Sequence, residues 1–296
     1  MGGLGGRPLP NKHTAVTDAN GRCRVWGRTN CGRVGCWIKE VPPGYYVPAN
    51  GWGHRFKGRN LFGLWQPDNL VATIRLQRVE HPIPLLVKSL TGANREGYED
   101  DLFPRGEDTL RYDLLVGDWL PPVGTGVVAD VAFTRHPRED LGEAENEVAK
   151  GRSFRDSMTV HFPGRDNGLV EIRSTRDVRL KIRTAPEEGY RPDYNCWKLK
   201  DRELQYRQSY DANRNFCFRI RTRRDEEGKI VEAYYGKIYW DIIFVHQARP
   251  EFVPVASVCM RYYLNPTPLD RNLEWDRKTN LFAPGEKIYN RDDKFP

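Results

Sequence analysis

The strongest constraint on the fold of this chain is a pair of strand-like runs joined by a turn. Residues 215–222 alternate apolar and polar side chains, which is the period of a strand with one buried face. Asp225-Glu226-Glu227-Gly228 supplies turn residues, and the chain returns through a second run at 230–239. A hairpin of this length has an apolar side to bury, so the pattern predicts an antiparallel sheet packed against a second layer.

Further strand signals lie along the chain, in short runs at 71–79, 127–133, 158–162, 168–172 and 255–264. A cluster of Pro, Gly, Asp and Asn at 163–167 predicts that the runs on either side of it pair as a hairpin. Helical composition occurs only at 139–150, which lacks an apolar face. That segment is predicted to be an exposed loop or a short surface helix.

These patterns predict an all-β fold with few or no long helices. We expect a small antiparallel β-sandwich followed by a larger antiparallel β-sandwich domain, both Ig-like in their layering. His81-Pro82-Ile83-Pro84 stiffens the chain between the two. The predicted divisions are a divergent or disordered N-terminus at 1–16, an incomplete small sandwich at 17–80, and a larger β-rich domain at 81–296. From Asn265 onward the chain is predicted to run as an extended strap.

Positive charge is concentrated at the beginning of the chain. Residues 1–88 carry thirteen Lys and Arg against four Asp and Glu, whereas the remainder carries thirty-four against thirty-six. A basic region can contact nucleic acid, an anionic polysaccharide or a membrane surface, or it can be a solvated face. The scattered placement of these cations favours the solvated face and argues against nucleic acid. No apolar run approaches the ~20 residues of a membrane-spanning helix, so we expect no transmembrane segment.

A tight turn at Thr17-Asp18-Ala19-Asn20-Gly21 comes early in the chain. Asn-Gly suits the positive φ angles of a type I′ hairpin turn, and a strand-like run, Cys23-Arg24-Val25-Trp26, follows it. A second run at 34–39 and then Gly44-Tyr45-Tyr46 complete the order. This segment resembles the carboxypeptidase regulatory-like domain, a small transthyretin-like β-sandwich, with the strands that normally precede the turn absent.

The rest of the chain resembles the end of an uncharacterised family of secreted bacterial β-rich proteins. The segments that carry this resemblance are 206–210, 216–222, 233–238 and 263–274. In that family, a signal peptide and a regulatory-like domain precede a β-rich domain. The resemblance implies an extracellular or periplasmic location with a shortened start, because the first residues lack the apolar stretch of a secretory signal.

Metal and cofactor signals are weak in this sequence. Its six His form no two-His motif, and the spacing of Cys23, Cys31 and Cys36 matches no common zinc motif. The segment 211–215 begins like a calcium loop but lacks the later Gly and the final acidic ligand. We therefore expect no metal and no cofactor.

Aromatic and basic side chains interleave between residues 52 and 65. Trp52 and Trp65 accompany His54 and Arg55, and aromatic faces beside cations can bind sugars or unstacked bases. Glycines make the segment a loop. These four residues form the candidate ligand site. The alternative is that the rings pack at the seam between the two domains.

Catalytic motifs are missing from the sequence pattern. No G-x-S-x-G elbow occurs, and acidic clusters such as 99–101 and 139–140 do not reveal how far apart their carboxylates lie. No catalytic residue is assigned. The sequence favours a non-catalytic extracytoplasmic β-sandwich protein, structural or ligand-binding at the cell surface, with a polysaccharide or a cell-surface protein as partner. Two alternatives stay open: a carbohydrate-active hydrolase with a carboxylate pair, and nucleic-acid binding through the basic N-terminal third.

Overall fold

A computed structural model of the chain describes residues 12–26, 32–46, 52–67, 69–90, 108–143, 152–173, 182–203, 205–247 and 255–282. Strands account for the regular structure of these residues, and none of them lies in a helix, so the predicted all-β class is confirmed. No helix long and apolar enough to cross a bilayer therefore occurs in the described ranges. The chain divides into two compact units, Met1–Arg78 (the N-terminal unit) and Val79–Pro296 (the C-terminal unit).

The N-terminal unit contains six short strands, which pair as three two-stranded ribbons, β1 with β3, β2 with β6 and β4 with β5. The strands are Arg33–Cys36 (β1), Tyr45–Tyr46 (β2), Trp52–Arg55 (β3), Gly58–Arg59 (β4), Trp65–Gln66 (β5) and Gln77–Arg78 (β6). Tyr46, at 7% exposed, is the one fully buried side chain among the described residues of this unit. Isolated two-stranded ribbons are marginal in water, so this unit depends on local contacts between the ribbons' own side chains.

The early turn forms at the predicted place but by a different mechanism. Gly21 N donates to Asp18 O at 2.9 Å, and Gly21 takes a φ of 71°, whereas Asn20 keeps a negative φ. Asp18 Oδ1 also accepts hydrogen bonds from the backbone N of Asn20 and of Arg22. An aspartate-capped turn followed by a left-handed glycine replaces the predicted type I′ geometry.

Two strand predictions in the N-terminal unit are wrong. Residues 22–26 form no strand and are exposed, and 71–76 are irregular, with pairing beginning at Gln77. Alternation of side chains stabilises a strand when a neighbouring strand is present to pair with it. Of the predicted divergent start at 1–16, residues 1–11 lie outside the described part of the chain, and 12–16 are exposed.

The C-terminal unit contains two large sheets. The front sheet has seven strands, in the order β15-β14-β12-β10-β8-β9 with β11 beside β12. Its strands are Thr109–Asp113 (β8), Asp118–Trp119 (β9), Val131–Arg135 (β10), Glu139–Glu143 (β11), Arg152–His161 (β12), Asp193–Lys200 (β14) and Tyr206–Gln208 (β15). All of its pairings are antiparallel.

The back sheet has six strands in the order β13-β16-β17-β18-β7-β19. They are Ile83–Leu90 (β7), Gly168–Arg173 (β13), Arg214–Arg224 (β16), Ile230–Gln247 (β17), Val255–Asn265 (β18) and Trp275–Asn280 (β19). The long hairpin predicted from 215–239 is confirmed as β16 and β17. The described part of the predicted strap after Asn265 includes β19, which joins β7 as a parallel edge strand, and residues 283–296 lie outside the described part of the chain.

Apolar side chains from both sheets meet in one core. Phe218 of the back sheet packs 6.1 Å from Phe162, and Tyr262 meets Tyr112 of the front sheet at 6.4 Å between ring centroids. Tyr262 Oη also donates to Leu114 O at 3.1 Å. The two sheets thus form a sandwich, in which each strand alternates inward and outward side chains.

The predicted hairpin of 158–162 with 168–172 is wrong. β12 lies in the front sheet and β13 in the back sheet, so the chain crosses between layers at 162–167. Phe162 is buried against the back sheet, and the Asn167 side chain accepts from Thr222 N and donates to Pro163 O. These contacts fix a crossover where turn residues alone indicated a hairpin.

The segment with helical composition forms a strand over its described part. Glu139–Glu143 is β11, which pairs with the first residues of β12, and 144–150 lie outside the described residues. Glu139 and Asp140 form ion pairs with Arg155 and Arg152 across this pairing. A neighbouring strand of complementary charge overrides a weak local helix preference.

Candidate functional site

Three of the four predicted ligand residues lie in one cluster of rings in the N-terminal unit. Trp52 and His54 are stacked, with ring centroids 5.9 Å apart and planes 8° apart. Phe56 meets His54 edge-on at 5.3 Å and stacks on Trp65 at 5.5 Å. Arg55 is exposed and alternates to the other face of β3, so it does not join the rings.

This ring cluster packs on itself. The guanidinium of Arg59 lies over Trp65 at 4.3 Å, and a Cβ on Gly32 would approach that ring to 3.1 Å. His54 Nε2 is buried with no hydrogen-bond partner in the described ranges. The rings supply packing that this unit otherwise lacks. Ligand binding by Trp52, His54, Arg55 and Trp65 stays a prediction.

The two outer faces of the sandwich differ in how they are covered. The outward side chains of the back sheet, such as Cys217 and Tyr235, are buried beneath Ile182, Ala185 and Leu273. These three residues belong to the segments 182–190 and 269–275, which are bridged at Thr184 and Asn272. On the front sheet, the outward side chains of β12 from Arg155 to His161 and those of β14 are exposed or half-buried. The front sheet therefore presents the open face.

Six side chains on β12 and β14 form the centre of this open face, and we call them the polar face. They stand in three cross-strand pairs in register, Ser157 with Trp197, Thr159 with Asn195, and His161 with Asp193. Successive pairs on one face of a sheet are about 6.6 Å apart, so the three pairs span roughly 13 Å. Trp197 lies at one end and the His161–Asp193 pair lies at the other.

A hydrogen-bonded row crosses the middle of the polar face. His136 Nε2 lies 2.8 Å from Thr159 Oγ1, which donates to Asn195 Oδ1 at 2.9 Å. A hydroxyl has one proton, so Thr159 accepts from the His136 N–H and donates to the amide oxygen. This arrangement fixes the Nε2–H tautomer of His136 and turns the Asn195 amide nitrogen into the group that can donate to a ligand.

The end of the polar face away from Trp197 carries a carboxylate-oriented histidine. His161 Nδ1 lies 2.6 Å from Asp193 Oδ1, and the side chains are 46% and 55% exposed. The carboxylate accepts from Nδ1–H and leaves Nε2 directed to solvent. A ligand lying on this face meets an imidazole and a carboxylate, both held in place.

Trp197 supplies the apolar part of the polar face. Trp197 is 40% exposed. Its backbone N donates a hydrogen bond to Ser209 Oγ, and its backbone O accepts one from Ser209 N. Ser209, which follows the edge strand β15, thus fixes the backbone from which the indole extends. An amphipathic ring beside fixed hydrogen-bonding groups can stack on the C–H face of a sugar while neighbours bond its hydroxyls.

A close pair of carboxylates exists in the C-terminal unit, but it is closed to solvent. Arg221 donates from Nη2 to Asp113 Oδ1 at 2.6 Å and to Asp130 Oδ2 at 2.9 Å. Asp113 is 0% and Asp130 is 2% exposed. Asp113 also accepts from four backbone N–H groups, so this triad joins the two sheets internally and offers a substrate no access.

The pKa values of this pair shift in opposite directions. Burial acts to raise the pKa of Asp113, but its backbone hydrogen bonds and the Arg221 charge together hold it below its ordinary value. Burial raises the pKa of Asp130 above its ordinary value, even though Arg221 opposes the shift. Hydrogen bonding decides the first case and desolvation decides the second.

The described residues contain no group of three or more His, Cys, Asp or Glu side chains placed to hold a metal. In the calcium-like segment, Asp211 Oδ1 accepts from Asn213 N and Asn215 Oδ1 accepts from Trp240 N, so these oxygens fix backbone. Cys23, Cys36, Cys196 and Cys217 are free thiols, and the last two are buried.

Sequence reasoning missed the polar face, although its signal is present. The run Asp193-Tyr194-Asn195-Cys196-Trp197 places polar or amphipathic groups at every second position, and 157–161 does the same. Each run by itself indicates only a half-buried strand. Their alignment in register is a property of the sheet.

The chain matches no protein-family model, and neither a curated protein nor a solved structure shows significant similarity to it.

Proposed function

We propose that this chain is a non-catalytic, extracytoplasmic β-sandwich protein that binds carbohydrate on the polar face. One observation carries the proposal. An exposed indole, Trp197, lies on the same open sheet face as a pre-arranged row of hydrogen-bond donors and acceptors. Groups fixed before binding lose little conformational entropy when a ligand arrives. A sugar needs both a stacking surface and several hydrogen-bonding partners.

The chemistry of the polar face favours a neutral or weakly charged glycan. His161 and Asp193 are hydrogen-bonded to each other, while Thr159, Asn195 and Ser157 are uncharged. A polyanion would meet the Asp193 carboxylate at one end, which is unfavourable at close range. A hydrolase is less well supported, because the carboxylates of Asp113 and Asp130, which share Arg221, are buried and closed to a substrate.

The extracytoplasmic location is part of the proposal and rests on the resemblance of 17–46 and 206–274 to secreted proteins. Fractionation of the native host cells with an antibody against the chain tests it. Recovery in the periplasm or medium supports this location, and recovery in the cytoplasm contradicts it without affecting the binding proposal.

A glycan array followed by calorimetry tests the binding proposal. We expect Trp197→Ala to weaken binding about 10- to 100-fold, the loss typical of a central aromatic anchor. Asn195→Ala should weaken it less, because one hydrogen bond is lost. Trp37→Ala is the matched control, since Trp37 is an exposed indole (64%) in the N-terminal unit.

The same experiment separates the two candidate surfaces. If Trp52→Ala and Trp65→Ala abolish binding while Trp197→Ala does not, the glycan binds at the ring cluster and the polar face is excluded. Folded protein that binds no glycan removes the carbohydrate proposal altogether.

A further inference from the structure

The tip of the hairpin formed by β4 and β5 displays three apolar side chains, a feature that carbohydrate binding does not explain. Leu61 is 102%, Phe62 87% and Leu64 54% exposed. Single exposed apolar residues are ordinary on a protein surface. Three of them within four consecutive residues, on a projecting turn, form a concentrated apolar surface that water solvates poorly.

The backbone of this turn is held in one conformation. Asn60 Oδ1 accepts from Phe62 N at 3.0 Å and from Leu64 N at 2.9 Å. Asn60 N donates to Leu64 O at 2.8 Å, and Gly63 supplies the left-handed φ of 75°. The fixed turn therefore keeps Leu61 and Phe62 directed outward. Binding of a partner would cost little conformational entropy, because the turn is already ordered.

Three cations precede the apolar tip in the sequence. Arg55, Lys57 and Arg59 are exposed on the same short segment, and the Arg59 guanidinium lies over the Trp65 ring at 4.3 Å. The segment 52–66 contains no acidic residue. The tip of the hairpin is thus apolar, and its paired base at Arg59 and Trp65 is cationic and aromatic. Apolar chains and anionic headgroups follow one another in the same order in a bilayer.

We propose that Leu61, Phe62 and Leu64 insert into the surface of an anionic membrane, while Lys57, Arg55 and Arg59 bind the lipid phosphates. The small area of the tip favours a membrane over a protein. A stable protein interface buries about 800 Å² on each partner, more than three side chains provide. A bilayer needs only a few inserted apolar groups together with electrostatic attraction.

Co-sedimentation of the full chain with lipid vesicles tests the proposal. Vesicles of phosphatidylcholine mixed with phosphatidylglycerol should retain the protein, and vesicles of phosphatidylcholine alone should retain much less. Added salt should weaken the binding, since exposed charges are screened. The double variant L61S/F62S should reduce partitioning by about tenfold or more. Lys57→Glu should reduce it by about fivefold or more.

A matched control removes apolar groups elsewhere in the same unit. V16S/V71S replaces two apolar side chains that are 93% and 83% exposed and lie outside the hairpin. It should bind anionic vesicles as the unchanged chain does. Circular dichroism and the urea midpoint should be the same for all variants, because the substituted side chains are exposed.

Several outcomes would overturn the proposal. One is binding to anionic vesicles that L61S/F62S leaves unchanged, and another is the failure of the unchanged, folded chain to bind them. A third is a dimer in sedimentation equilibrium that L61S/F62S dissociates, without vesicle binding by either protein. That result would assign the tip to contact between copies of the chain. None of these results bears on Trp197, so the carbohydrate proposal is tested separately.

Discussion

On both outer faces of the C-terminal sandwich, every second side chain of a strand points outward. The outward side chains are buried on one face and open to solvent on the other. On the back sheet, Cys217 and Lys237 are 0% and 3% exposed, because the segments 182–190 and 269–275 lie across them. On the front sheet, Trp197 and Asn195 occupy equivalent outward positions and remain open. The difference lies in the connections, which cover one face and leave the other available.

Polar groups on the covered face lose their contact with water and need hydrogen-bond partners within the protein. Lys237 Nζ lies beneath the covering segments and donates to Ile182 O at 3.0 Å and to Leu273 O at 2.6 Å. It thereby ties both segments to the sheet. Burial lowers the pKa of Lys237 to about 7. On the open face, comparable groups stay solvated and are available to a ligand.

The largest expected effect comes from breaking the link that both sheets share. Arg221→Met leaves the buried carboxylates of Asp113 and Asp130 without their cation, which should lower the free energy of unfolding by about 3–5 kcal/mol in urea denaturation. The control is Arg223→Met, which removes a more exposed ion pair with Glu232 and should cost less than about 1 kcal/mol. Equal effects of the two variants would show that the triad does not join the sheets energetically.

A pair of identical substitutions compares the two faces directly. Leu273→Ala removes a 0% exposed side chain of the covering segment 269–275, packed on the outer face of the back sheet, and it should cost about 2–5 kcal/mol. Leu199→Ala lies on the open face of β14, half-buried between Arg155 and Arg207, and should cost less than about 1 kcal/mol. Similar losses in thermal or urea unfolding would mean that the front face is covered in solution.

A smaller effect is expected in the dependence of stability on pH. Between a folded pKa of about 7 and the ordinary value of 10.5, the unfolded state binds more protons at Lys237 than the folded state does. Stability contributed by this site therefore rises with pH, by about 1.5 kcal/mol from pH 7 to 8.5. We expect Lys237→Met to remove that part of the rise. Urea denaturation at the two pH values measures it.

The exposed Lys229→Met variant should keep the rise and serves as the control. Measurements stop at pH 8.5 because burial raises the pKa of Cys217 to about 12, and that shift favours unfolding at higher pH. A Lys237→Met protein with an unchanged slope would mean that the ammonium is not buried in the folded chain.

The fold was predictable where the sequence pattern of neighbouring residues is sufficient to identify the strands. β16 and β17 alternate over many residues and are separated by Asp225-Glu226-Glu227-Gly228, so local pattern and turn chemistry agree. The prediction failed at 158–172, where equally good strands flank equally good turn residues. There the burial of Phe162 between the sheets decides for a crossover, and no local signal reports it.

The candidate site was less predictable than the fold. Aromatic and basic residues that are close in sequence predicted a ligand site at Trp52, His54, Arg55 and Trp65. Such a pattern can be recognised without knowledge of the sheet. The polar face combines residues some forty positions apart, such as Thr159 and Asn195. Cross-strand register brings them together, and register depends on the whole sheet.

By itself, the sequence determined that this chain is all-β, that a long hairpin lies at 215–239, and that its positive charge lies early. Those properties follow from side-chain periodicity and composition, which act over a few residues. Only the tertiary structure decided which sheet face is covered, which carboxylates share Arg221, and which outward side chains stand in one row. Each of those outcomes depends on contacts between segments far apart in the chain, and their free energy appears only when the layers pack.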